Sequence, residues 1–218
     1  MRKFDDTYRH KGLRKKLIDV LRAKGITDET VLEAMNNIPR HFFLDSALDE
    51  IAYEDRAFPI SEGQTISQPY TVAYQTQLLQ VRSNEKILEI GTGSIYQASV
   101  LAEMGARVFT IERQKKLFDK TKQYIFKTRY PNLKFFYGDG YEGLPTYAPF
   151  DKVIITAAAP FIPPKLVEQM RPGGKMVIPV DEGVHQRMLR LTKNEDGSCS
   201  EEAFENFSFV PMLGGKSY

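Results

Sequence analysis

The sequence is poor in residues that would place it in an oxidising or membrane environment. Its 218 residues include one cysteine and no tryptophan. The lone Cys199 excludes a disulfide or a cysteine-based metal cluster within one chain. No apolar run approaches the roughly 20 residues that cross a bilayer, and the charged amino-terminal stretch lacks a signal-peptide core. We therefore expect a reducing, cytoplasmic setting and no membrane partner.

A strong charge of one sign is also missing. The formal net charge is only +2, which is too small to predict a nucleic-acid partner from electrostatic attraction. The three histidines have no acidic partner at a recognisable spacing, so the sequence predicts neither a metal site nor a histidine base. His185 follows the fifth predicted strand and is the histidine placed nearest to a site. No pattern indicates an oligomeric state.

The most informative segment is residues 86–96, which predicts a buried strand, a glycine turn and then a helix. Gly91 and Gly93 allow the backbone to bend sharply and to approach a ligand without a Cβ between them. Open α/β sheets bind nucleotide-like ligands at turns of this kind, at the carboxyl ends of strands. The next predicted strand ends at Glu112, whose carboxylate can accept hydrogen bonds from both hydroxyls of a ribose.

The kind of nucleoside ligand follows from what the turn lacks. The dinucleotide fingerprint needs glycine where this chain has Tyr96, and no P-loop Gly-Lys-Ser or Gly-Lys-Thr follows. The pattern suits adenosine without pyrophosphate, for which S-adenosyl-L-methionine is the common ligand. Asp139, which follows the third predicted strand, is interpreted as a contact to the adenine amine. The alternatives are a structural turn with an exposed glutamate, and an ordinary Asp-Gly turn at Asp139.

The pattern of strands and helices predicts an α/β fold. Residues 1–80 read as a helical and irregular region packed on the core, and residues 81–218 as the cofactor-binding core of one globular unit. From residue 86 onward strands alternate with helices, as in a doubly wound, mostly parallel sheet. Later strands are predicted at 134–137, 153–156 and 176–178. An antiparallel hairpin around 188–191 and 204–210 completes seven strands.

The polar loop 63–69 is the predicted place for the chemistry, because it leads into the helix that precedes the glycine strand. Ser67 has two interpretations. Its hydroxyl can cap the helix that starts near Pro69, or it can face a substrate beside the cofactor.

Short segments spread over nearly the whole chain carry a resemblance to a known family. They are Pro39-Arg40, Phe42, Gln64-Thr-Ile-Ser-Gln-Pro-Tyr70, Leu88-Glu-Ile-Gly-Thr-Gly-Ser94, Tyr96-Gln97, Gly138-Asp-Gly140, Pro149-Phe-Asp151, Pro179-Val180 and Phe209-Val-Pro211. With these segments the chain resembles the protein-L-isoaspartate O-methyltransferase family. The segment 64–70 is the most specific part of the resemblance, since many methyltransferases share the glycine turn.

The resemblance implies a Rossmann-like methyltransferase that repairs damaged proteins and peptides. It implies methyl transfer from S-adenosyl-L-methionine to the α-carboxylate of L-isoaspartyl residues, which leaves S-adenosyl-L-homocysteine. The ester then closes spontaneously to a succinimide, which hydrolyses partly to normal aspartate. Ser67 is the implied catalytic, substrate-facing residue. The implied cofactor contacts are Gln64, Thr65, Ile66, Tyr70, Gly91, Thr92, Gly93, Glu112, Arg113, Asp139, Gly140 and Gln186.

One position departs from the family pattern. The family usually has glycine where this chain has Ile95, and a β-branched residue is strained at positive φ. Either Ile95 takes an ordinary backbone conformation and buries its side chain, or it obstructs the cofactor. Two other functions stay open: a methyltransferase of the same fold acting on a small metabolite or RNA, and a non-catalytic binding protein in which Ile95 abolishes cofactor use.

Overall fold

The computed structural model describes residues 5–128 and 130–218, with the side chains of residues 122–128 left out. The helices are α1 (Tyr8–Ala23), α2 (Glu29–Asn37), α3 (Pro69–Leu79), α4 (Tyr96–Glu103), α5 (Lys115–Thr128) and α6 (Pro164–Glu168). The strands are β1 (Phe58–Pro59), β2 (Thr65–Ile66), β3 (Lys86–Ile90), β4 (Arg107–Glu112), β5 (Leu133–Tyr137), β6 (Phe150–Ile155), β7 (Met170–Asp181), β8 (Gln186–Lys193) and β9 (Cys199–Phe207).

The main sheet has seven strands in the order β5-β4-β3-β6-β7-β8-β9. Strands β3 to β7 run parallel to one another, whereas β8 pairs antiparallel with both β7 and β9. This confirms the predicted fold class. The chain winds outward from β3 through β4 to β5 and then returns to place β6 on the other side of β3. That reversal opens a crevice at the carboxyl ends of β3 and β6, where ligands bind in sheets of this type.

Two apolar layers enclose the sheet. Helices α1 to α4 cover one face, where their buried side chains share a cluster with Ile87, Val108 and Ile154 of the strands. On the other face, Leu88 and Val153 belong to a second cluster, together with Leu166 of α6. Among the described residues, no helix is both long and apolar enough to cross a membrane.

Two predicted strands start earlier than expected, and α2 begins with a carboxylate cap. Residue Asp28 caps α2, since its carboxylate accepts from the amides of Thr30 and Val31. The strand predicted at 204–210 is β9, which starts at Cys199 and ends at Phe207. Its first half is polar and exposed, as an edge strand can be, so it carries no apolar signal. The strand predicted at 176–178 is β7, which begins at Met170 and pairs with β6 through an irregular register.

The backbone at Ile95 is left-handed, with φ of 68° and ψ of 5°. The expectation of an ordinary conformation is therefore wrong. The expected burial is observed, since the Ile95 side chain is 0% exposed and belongs to the apolar cluster beneath helices α1 to α4. A left-handed conformation costs a residue with a Cβ about 1–2 kcal/mol. Burial of the side chain offsets this cost, because a fully buried isoleucine gains about 1.5–3 kcal/mol.

Two substitutions at Ile95 separate strain from burial. Ile95→Ala keeps the Cβ and the strain but loses the buried side chain, whereas Ile95→Gly loses both. We expect both variants to be less stable than the parent, with the glycine variant more stable than the alanine variant by about 1 kcal/mol. Urea unfolding measures the difference. In an ordinary backbone the order reverses, because glycine is then about 0.5–1 kcal/mol worse than alanine, and a more stable alanine variant would contradict the left-handed assignment.

Candidate functional site

The crevice between β3 and β6 is built around the glycine turn. Gly91 has φ of 93°, and a Cβ there would lie 2.6 Å from Oγ1 of Thr156, so only glycine fits. The Thr156 hydroxyl lies 2.7 Å from the Gly91 carbonyl and 3.0 Å from that of Ile90, as a shared donor to both. The turn is thus fastened directly to the end of β6.

Glu112 fixes the other side of the turn. Its Oε2 accepts from the Gly93 amide at 3.0 Å, and its Oε1 accepts from the Gln114 amide at 2.8 Å. The residue is 4% exposed, and burial raises the pKa of its carboxyl, against the opposing effect of the backbone donors. A carboxylate has about four acceptor positions. Two of these positions are taken, so Glu112 can still accept hydrogen bonds from a ligand in the cavity.

The loop that carries Ser67 forms the cover of the crevice. Strand β2 pairs with β1 just before it, and α3 begins just after it at Pro69. Ser67 does not cap α3. The carboxylate of Asp55 takes that place, because its Oδ1 accepts from the Tyr70 amide at 2.8 Å. Among the hydrogen bonds of the described residues, none involves the Ser67 hydroxyl, which therefore remains available to a ligand.

The structure brings most of the predicted site residues to one cavity beside the glycine turn. The predicted residues that line it are Gln64, Thr65, Ile66, Ser67, Gly91, Thr92, Gly93, Glu112, Arg113 and Gly140. Ile95 is not among the lining residues, since its side chain points into the apolar cluster.

Three predicted contacts lie outside this lining. The Asp139 carboxylate accepts hydrogen bonds from the amides of Tyr141, at 2.9 Å, and of Gly215, at 2.7 Å. The Oε1 atom of Gln186 accepts from the Phe209 amide at 3.0 Å. Tyr70 lines a neighbouring groove. The first two side chains hold the carboxyl-terminal segment, whose residues Val210, Pro211, Met212 and Leu213 line the cavity instead. The family-like motif at 209–211 was the sequence signal for that segment.

Gln97 is a lining residue to which the sequence analysis gave no role. Its Nε2 donates to Oγ1 of Thr76 at 2.9 Å, and that hydroxyl donates onward to the carbonyl of Val72 at 2.7 Å. The Thr76 proton is therefore committed, which fixes the orientation of the Gln97 amide. Its Oε1 is then a buried acceptor without a partner among the described residues. A buried acceptor without a hydrogen-bond partner destabilises the fold by about 1–3 kcal/mol. A donor on a bound ligand would recover this free energy.

A second buried acceptor lies in β3, one residue before Ile90. Glu89 is 0% exposed, and neither oxygen of its carboxyl group makes a well-formed hydrogen bond within the described part of the chain, although the Thr110 hydroxyl is near enough to oppose the effect of burial on its pKa. Burial raises the pKa of Glu89 to about 8, and the charge of Glu112 adds to the effect. The carboxyl group is therefore protonated and neutral at pH 7, as an apolar surrounding requires.

Comparison with known proteins places nearly the whole chain in one family. The family described as protein-L-isoaspartate(D-aspartate) O-methyltransferase matches residues 12–217. Protein-L-isoaspartate O-methyltransferase of Cytophaga hutchinsonii is 55% identical over 210 residues, which cover 96% of this chain and 95% of the relative. The enzyme of the same name from Christiangramia forsetii is 50% identical, with 97% and 99% covered.

Solved structures agree with this assignment. A protein-L-isoaspartate O-methyltransferase structure superposes with a TM-score of 0.85 at 25% identity, covering 94% of this chain and 67% of the other. A Plasmodium falciparum protein, described as a putative enzyme of that kind in complex with S-adenosyl-L-homocysteine, gives 0.81 at 25% identity, with 92% and 98% covered. The chain belongs to the protein-L-isoaspartate(D-aspartate) O-methyltransferase family.

The neutral Glu89 predicts a pH dependence of stability. Its pKa is near ~4.3 in the unfolded chain and about 8 in the fold. A raised pKa means that the fold binds the proton more tightly. The stabilisation is then complete below the unfolded pKa and is lost as the pH rises through 8. Glu89→Gln, which mimics the neutral acid, should therefore gain unfolding free energy relative to the parent between pH 5.5 and pH 8.5.

Urea unfolding of both proteins across this range tests the prediction. Glu112 also has a raised pKa but is common to both proteins, so its contribution largely cancels in the difference. Parallel pH profiles would show that Glu89 does not titrate with folding.

Proposed function

We propose that this chain repairs damaged proteins and peptides by methylating the α-carboxylate of their L-isoaspartyl residues. The methyl donor is S-adenosyl-L-methionine, and the product is S-adenosyl-L-homocysteine. Family membership over residues 12–217 supports this activity. The observation that carries it is the position of Ser67, whose hydroxyl is uncommitted among the described residues and lies at the cavity of the glycine turn.

The cavity suits a ligand that carries an adenosine and an ammonium group. Gly91 keeps the turn free of a Cβ, Glu112 retains acceptor positions for the ribose hydroxyls, and the orphaned Oε1 of Gln97 awaits a donor. We propose that the cofactor is held by the predicted lining residues and by Gln97. The adenine contact of Asp139 and the contacts of Tyr70 and Gln186 remain predictions.

Methyl transfer to a carboxylate needs no strong general acid or base from the protein. A carboxylate has an unperturbed pKa near ~4, so it is already an anion at neutral pH. The cofactor supplies a methyl group on a positively charged sulfur, which is an activated leaving group. The task of the chain is to align the carboxylate, and orientation of this kind contributes roughly 7–11 kcal/mol. Ser67 would donate a hydrogen bond to the carboxylate and so hold one oxygen in place.

Two alternatives are less well supported. A methyltransferase of the same fold for a small metabolite or RNA would not need the Thr65-Ile-Ser67 element. A cofactor-impaired binding protein was suggested by Ile95, yet that side chain is buried outside the cavity. We include a protein substrate and a reducing, cytoplasmic setting in the proposal. The setting is supported by the lone Cys199.

Ser67→Ala tests the proposed role of the hydroxyl. We expect kcat to fall by at least tenfold, because one oriented hydrogen bond to a charged group is worth about 1.5–3 kcal/mol. Binding of S-adenosyl-L-homocysteine, measured by calorimetry, should stay within about threefold. Ser67→Thr should recover part of the rate because it restores a hydroxyl.

Ser61→Ala is the matched control, because Ser61 lies nearby in the chain, in the turn between β1 and β2, but outside the cavity lining. The assay is tritiated methyl transfer to matched peptides with isoaspartate, aspartate or neither. Base-labile label in the isoaspartyl peptide alone agrees with the proposal. Unchanged turnover in Ser67→Ala would remove Ser67 from the mechanism, and label in all three peptides would refute the substrate.

Glu112→Gln tests the ribose contact. The glutamine offers one oxygen where the glutamate offers two, so its amide group must face a backbone N–H of Gly93 or Gln114. We expect affinity for S-adenosyl-L-homocysteine to fall at least tenfold, and the unfolding free energy to fall by about 1–2 kcal/mol. Calorimetric titration and urea unfolding check the two effects separately. Intact binding would place the ribose contact elsewhere.

A further inference from the structure

A second groove continues from the cavity along the start of α3. It shares Thr65, Ser67, Thr156 and Val210 with the cavity. Its far side is formed by Tyr70 and by the end of β9 with the residues that follow, including Glu205, Phe207 and Phe209. Any ligand too large for the cavity, with its reacting group at Ser67, can extend into this groove.

The groove is lined by the aromatic residues Tyr70, Phe207 and Phe209, and Tyr74 packs against the first two of them. The Tyr70 and Tyr74 ring centroids lie 5.6 Å apart, and Phe207 lies 5.2 Å from Tyr74 and 6.2 Å from Tyr70. The Phe207 and Phe209 rings are 6.3 Å apart. Ring faces of this kind attract cations through the negative charge of the π-system.

One carboxylate stands beside these rings without a cationic partner. Glu205 is exposed and accepts from the Tyr70 hydroxyl at 3.3 Å. Burial raises the pKa of Tyr70 to about 12, and the negative charge of Glu205 contributes. Within the described part of the chain, no Lys or Arg forms an ion pair with Glu205. The Tyr70 hydroxyl therefore stays protonated as a donor, and the carboxylate keeps an unbalanced charge.

Neighbouring cations have their own partners. The Lys24 ammonium lies 5.6 Å from the Tyr70 ring centroid, but it is paired with Asp55 at 2.6 Å. On the sheet side, Arg187 is 3.6 Å from Glu182. Residue His185 also lines the groove, and its exposed imidazole forms no ion pair among the described residues. The local balance of charge beside these aromatic residues thus remains negative.

We propose that this groove is a subsite for a cationic side chain, lysine or arginine, close in sequence to the methylated residue. The inference rests on the proposed function, because it concerns the peptide whose carboxylate lies at Ser67. The cation would pair with Glu205 and lie against the faces of Tyr70 and Phe207. An extended peptide advances about 3.3 Å per residue, so a neighbour one or two residues away reaches the first turn of α3.

Matched isoaspartyl peptides test the subsite. A single position, one or two residues before or after the isoaspartate, carries lysine, alanine or glutamate in turn. At one or more positions, kcat/KM should follow the order lysine, alanine, glutamate, with lysine about three- to tenfold above alanine. The lysine preference should shrink at high salt, because exposed ion pairs are screened.

Glu205→Gln is the decisive variant. The quantity measured is kcat/KM for the lysine peptide divided by kcat/KM for the alanine peptide. The ratio should fall to nearly one in this variant. In the control Glu201→Gln, on an exposed position of the same strand outside the groove lining, the parent ratio should persist.

The failures are distinguishable. If no isoaspartyl peptide is methylated, the proposed function falls and this inference with it. If the alanine peptide is methylated but lysine and glutamate give the same kcat/KM at every position, only the subsite is overturned. A lysine preference that survives Glu205→Gln equally overturns it.

Discussion

The geometry of the site depends on one buried guanidinium. Arg40 is 0% exposed, and its Nε donates to the carbonyl of Ala52 at 3.0 Å. Its Nη2 donates to the carbonyl of Ser67 at 3.0 Å, and the group lies 5.0 Å from the ring centroid of Tyr96, the first residue of α4. Burial lowers its pKa to about 10, so it stays charged at neutral pH. A buried charge needs partners, and Arg40 finds them in segments that meet at the cavity, since Ser67 and Tyr96 both line it.

Asp55 completes this arrangement from the other side of Ser67. Its carboxylate caps α3 at Tyr70, accepts from Nε2 of Gln68 at 3.2 Å and pairs with Lys24. The backbone before α3 is thereby held at Ser67 by Arg40 and just after it by Asp55. Neither contact involves the serine side chain, so the fold positions the Ser67 hydroxyl without forming a hydrogen bond to it. The loop is therefore held in place through its backbone, and the Ser67 hydroxyl remains available for the role proposed above.

Sequence reasoning succeeded where the determining interactions are local. The strand, the glycine turn and the acidic strand end at Glu112 are readable because each is set by neighbours in the chain. The cap at Tyr70 was not readable, because its carboxylate comes from Asp55, 15 residues away. Ile95 shows the same limit. Its backbone strain is tolerated only because distant helices bury its side chain, and no local pattern reports that.

Two buried polar groups at the cavity lower the stability of the fold. The Oε1 atom of Gln97 has no hydrogen-bond partner among the described residues. The Glu112 carboxylate is shielded from water, which disfavours its charged form and raises its pKa. In the function proposed above, an adenosine ligand with an ammonium group supplies a donor to Gln97 and further donors to Glu112. Unfavourable polar burial of this kind is relieved on binding, so part of it reappears as affinity. By linkage, a ligand that binds only the folded chain raises its stability. We therefore propose that these two acceptors favour a ligand rich in hydrogen-bond donors.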